Sequence, residues 1–67
     1  MNDEINWQGT YNAAMDSVNL LAAGKPLGTS DEDWADCVKR NVDHLNIILG
    51  KDWPVEFDLT PFRNAVA

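Results

Sequence analysis

The densest chemistry in this chain is a run of carboxylates, Asp31, Glu32 and Asp33, with Asp36 one turn further on. Such a cluster could hold a divalent cation, supply a general acid and base, or imitate the phosphates of a nucleic acid. The calcium-loop pattern fails, because no glycine stands at its sixth place and no bidentate glutamate at its twelfth. A catalytic pair would need a base or nucleophile beside it, and the sequence offers none. What remains is electrostatic. Carboxylates in the first turn of a helix face the positive end of its dipole, each worth about 0.3–1 kcal/mol when exposed.

The other reactive residues stand alone. His44 is the one histidine, and Cys37, the one cysteine, lies seven residues away, two full turns along the same helix. Cys37 reads as a small buried hydrophobe. Asp36 and Arg40, four apart, read as a surface ion pair. Trp7, Trp34 and Trp53 could line a ligand pocket, but aromatics at helical spacing are core residues first. Gly24-Lys25-Pro26-Leu27-Gly28 lacks the Lys-Ser/Thr ending of a phosphate loop. The expectation is therefore no enzyme, no cofactor and no metal.

The elements that carry these residues are helical. Trp7, Tyr11, Ala14, Val18 and Leu21 recur at steps of four and three, one face of an amphipathic helix over about 5–23. Asn2 or Asp3 caps it if it starts early, Asn6 if it starts late. Gly24 followed by Pro26 stops it. A loop of turn formers, 24–30, leads to a second helix over about 31–49, opened by Ser30 or by Thr29, which has capping-box spacing to Glu32. Its stripe is Trp34, Val38, Leu45, Ile48 and Leu49, and Gly50 ends it. Trp53, Val55 and Phe57 alternate with polar residues, as in an extended segment laying three side chains on one surface. Asp58 or Thr60 then caps a short helix over about 59–66, with Pro61 tolerated in its first turn. The predicted fold is all-α: an antiparallel two-helix hairpin, an extended segment and a C-terminal helix, forming one small domain over 1–67. Trp7, Val18, Leu21, Trp34, Val38, Leu45 and Leu49 are its expected core.

Placing residues at 100° steps leaves apolar side chains to spare. Leu20 falls nearly opposite the Val18 stripe, beside Gly9 and Ala13, two small residues that would admit another backbone. Ile47 falls nearly opposite Leu45, amid Asp36, Arg40 and Asp43. The tail residues Trp53, Val55, Phe57 and Phe62 are enough to blanket one of these rear faces, and a second subunit would cover the other. Chain length points the same way. A 67-residue chain buries only about 60% of the surface it exposes when unfolded, and association is a common remedy where disulfides and metals are absent.

Asp33-Trp34-Ala35-Asp36-Cys37-Val38-Lys39-Arg40-Asn41-Val42-Asp43-His44-Leu45, with Lys51-Asp52-Trp53 and Asp58-Leu59-Thr60-Pro61 after it, resembles small uncharacterised proteins encoded by tailed phages, notably marine ones. The resemblance spans roughly the C-terminal half. It implies a viral origin and a helical accessory role, and it transfers no functional residue.

Charge narrows the partners. Five basic against eleven acidic side chains give a net charge of −6, which repels a phosphate backbone and an anionic membrane surface alike. No apolar run is long enough to span a bilayer, and the polar start Met1-Asn2-Asp3-Glu4 does not resemble a signal peptide. With one cysteine there is no internal disulfide, so the expected setting is reducing and cytoplasmic, the host cytoplasm if the chain is phage-encoded. The expected function is a non-catalytic, acidic, self-associating interaction module, most simply a two-fold dimer through the Gly9, Ala13 and Leu20 face or through the Ile47 face. The alternative is an acidic decoy that presents Asp31, Glu32, Asp33 and Asp36 to a basic, nucleic-acid-binding protein of a host.

Overall fold

A computed structural model of the chain describes residues 5–67. Three helices, α1 (Trp7–Ala23), α2 (Asp31–Leu49) and α3 (Thr60–Val66), each pack against the other two, and there is no strand among the described residues. The start of α1 lies beside the end of α2, so the long helices run antiparallel, with the Trp7 and Trp53 rings 4.7 Å apart.

Local chemistry sets the boundaries of the long helices, whereas α3 starts after Leu59 with no side-chain cap, so neither Asp58 nor Thr60 is its N-cap. The Asn6 side chain accepts from the Gly9 backbone N–H at 3.0 Å, which fixes the later of the possible starts for α1. Asn2 and Asp3, the other candidate caps, lie outside the described residues. Gly24 ends the helix at φ +82°, and Gly28 at φ +89° sits in the turn closed by Thr29 N–H to Pro26 C=O. Both torsions favour glycine over any side chain. Ser30, rather than Thr29, caps α2, its hydroxyl accepting from Asp33 N–H at 3.1 Å. At the far end the Trp53 indole donates to the Ile48 carbonyl at 2.7 Å, satisfying one of the acceptors that a helix C-terminus leaves over.

The core is small and sits at one end of the hairpin. Ala14, Leu45, Ile48 and Phe62 are buried, with Tyr11, Met15, Val18, Leu21, Leu49, Trp53, Leu59, Ala65 and Val66 packed around them. Of the residues expected to form the core, Leu45 is fully buried, and Val18, Leu21 and Leu49 are half-buried against it. Trp7, Trp34 and Val38 do not join them: all three are half-buried and stand outside this cluster, Trp7 stacking only on Trp53 at its rim. Phe62 supplies the reason. The stripe on α2 runs the whole helix, but α3 is only seven residues long and seals just the stretch it reaches.

The tail also departs from the expected extended segment. Phe57 N–H bonds to the Pro54 carbonyl, folding 54–57 into a turn. Trp53 and Phe57 come together at 5.3 Å between ring centroids, while Val55 is left fully exposed at the corner. Alternating polarity is produced here by a turn, with proline at its head, and not by a strand. Five of the six aromatic residues join one cluster: Trp7, Tyr11, Trp53, Phe57 and Phe62.

Candidate functional site

The residues whose types could do chemistry are not brought together. Among the described residues, no group of three or more His, Cys, Asp and Glu side chains could hold a metal ion. Asp31, Glu32, Asp33 and Asp36 all remain exposed at the start of α2. Asp31 is bridged by Lys25 at 2.6 Å, and Asp36 faces Arg40 at 3.4 Å. Both bridges are exposed and contribute little. Cys37 is half-buried, with the Asn41 amide donating to its carbonyl at 2.8 Å. The three tryptophans form no shared pocket. Trp7 packs on Trp53, while Trp34 takes no part in the aromatic cluster.

Of the spare residues, only Gly9 and Ala13 are brought against α2; Leu20 and Ile47 do not line the groove formed there. The Gly9 and Ala13 face of α1 and the His44, Ile48 and Lys51 edge of α2 line a shallow groove of about 430 Å³. Ile47 is the helical neighbour of His44, Ile48 and Lys51, and it is 66% exposed. Leu20, two turns beyond Ala13 on the same side of α1, is 37% exposed. The tail was expected to blanket one of these two rear faces and covers neither. Its aromatic residues turn instead into the seam that Tyr11 and Leu45 share with α3. The result is a hairpin with α3 on one side and an uncovered groove on another.

Gly9 has a second explanation that sequence reading missed. A Cβ there would come within 2.8 Å of the Asn6 amide nitrogen. Its smallness thus serves its own helix cap, and Ala13 is the residue left to make the groove shallow-walled. The signal was available, since an asparagine cap and a glycine three residues on share one turn.

One titratable group is displaced from its ordinary value. The Thr60 side chain and then its backbone N–H donate to the Asp58 carboxylate, which holds its pKa below the usual range, and Arg63 adds a smaller pull in the same direction. The Asp58 backbone carbonyl meanwhile accepts from the Tyr11 hydroxyl. Asp58 is thus a fastening of the α3 entry, with both its functions spent inside the protein.

No helix among the described residues is long and apolar enough to cross a membrane. Comparison with protein-family models, with curated proteins and with solved structures found no match for this chain. The geometry itself defines a small three-helix protein with an open groove between α1 and the end of α2.

Proposed function

We propose that this chain is a small helical interaction module that self-associates, without catalysis of its own. The observation that carries the reading is the uncovered groove beside exposed Ile47, where Gly9 and Ala13 of α1 face His44, Ile48 and Lys51 of α2. A core of four buried side chains is slight for a free-standing domain of this length, and association is an available supplement. A two-fold contact would pair the face with itself and require no second partner sequence. The test is the molar mass across a concentration series, for the wild type and for Ile47→Asp and Leu20→Asp. A mass that rises with concentration in the wild type and stays at one chain in either variant supports the module, and the variant that does so marks the face in contact.

A second reading rests on the acidic turn. Glu32 and Asp33 are exposed and form no ion pair among the described residues, so they are available to a basic protein of the kind that binds nucleic acid. In a phage, as the resemblance suggests, such a decoy would act in the host cytoplasm. Binding to a basic DNA-binding protein would weaken steeply as salt rises, whereas apolar self-association would not.

A further inference from the structure

On the self-association reading, the structure also carries a register for the contact. Ile47 has Asp43 four residues before it and Lys51 four residues after it. All three are exposed, and neither charge has an ion-pair partner among the described residues. Four-residue steps keep them in one row along the helix surface. Lys51 lies just past the end of α2, but its N–H still bonds to the Ile48 carbonyl, so the last turn carries it along. The row therefore reads acid, apolar, base, with equal spacing of about 6 Å on either side.

A row of that kind is self-complementary only when its copy is turned end for end. We propose that two copies of this chain pair through α2, antiparallel, about a two-fold axis passing beside Ile47. Asp43 then lies opposite Lys51 of the partner subunit, and the reciprocal pair forms across the axis. Gly50, which has no side chain, falls opposite His44 of the partner subunit and lets the backbones approach. A parallel pairing in register would set acid on acid and base on base. The two cross pairs also offset, locally, the mutual repulsion of two chains of net charge −6. Any other partner would have to carry the reversed row independently, whereas a second copy already has it.

Charge exchange tests the register. Asp43→Lys and Lys51→Asp each set like charges against each other and should each weaken wild-type self-association about tenfold. The two single variants mixed in equal amounts should associate again, as should the double variant, because both combinations restore opposite charges across the axis. In a Cys37→Ala background, Ile47→Cys should oxidise to a disulfide-linked dimer at a rate well above that of a cysteine placed at exposed Val55. If the wild type associates but the single variants do so equally well and the cysteine at position 47 shows no advantage, this register is overturned while self-association stands. A wild type that remains one chain at every concentration overturns both.

Discussion

The Tyr11 hydroxyl donates to the Asp58 backbone carbonyl at 2.9 Å, joining α1 to the entry of α3 across 47 residues of sequence. The same tyrosine ring lies 4.9 Å from Phe62, the largest fully buried side chain. One residue of α1 thus anchors α3 through both its polar tip and its apolar body. Tyr11→Phe removes the hydrogen bond alone and should destabilise by about 0.5–1.5 kcal/mol. Tyr11→Ala removes the ring as well and should cost about 3–5 kcal/mol if the site does not collapse. Urea denaturation followed by tryptophan fluorescence separates the two, and equal losses would show that the ring contributes nothing.

Core truncations should scale with the observed burial rather than with the stripe. Leu45→Ala, at a fully buried position, should cost about 2–5 kcal/mol and leave little of a small domain's stability. Trp34→Ala, at a half-buried position outside the cluster, should cost less. Thermal melts of the two variants decide, and a Trp34 variant that melts below the Leu45 variant would place the core at the wrong end of α2.

That contrast marks how far the sequence could be read. Helix spacing and the Gly24 and Gly50 stops gave the long helices to within two residues, because periodicity and caps act locally. It could not show where along α2 the core would form. That depends on how far α3 reaches, a tertiary fact. The alternation of Trp53, Val55 and Phe57 misled for a related reason: a turn and a strand can share one polarity pattern, and packing against Tyr11 selected the turn. On the proposed face, the exposure of Leu20 and Ile47 was legible from helical angles. Their failure to be covered by the tail was not.

The caps are separable from packing. Asn6→Ala and Ser30→Ala should each lower stability by about 1 kcal/mol, since each removes a side-chain acceptor from an N-terminal turn. Thr29→Ala, whose side chain does not cap α2, should cost less than Ser30→Ala. Equilibrium unfolding checks the order, and the reverse order would return the cap to Thr29.

Acid should loosen the α3 entry. The folded-state pKa of Asp58 is depressed by its bonds from Thr60. Its contribution is therefore present above the ordinary carboxylate pKa and is lost as pH falls through the depressed folded value. Between about pH 5 and pH 2 the wild type should lose more stability than Asp58→Asn. Parallel pH–stability curves for the two proteins would show that the carboxylate fastens nothing.

The uncovered face beside Ile47 is the feature on which the functional reading depends, and sedimentation equilibrium over a wide concentration range measures it most directly. The wild type should move from the mass of one chain, 7.5 kDa, toward twice that value as concentration rises, while Ile47→Asp, with its circular dichroism unchanged, should remain at one chain throughout. A wild type that keeps the mass of one chain up to millimolar concentration contradicts the self-associating module.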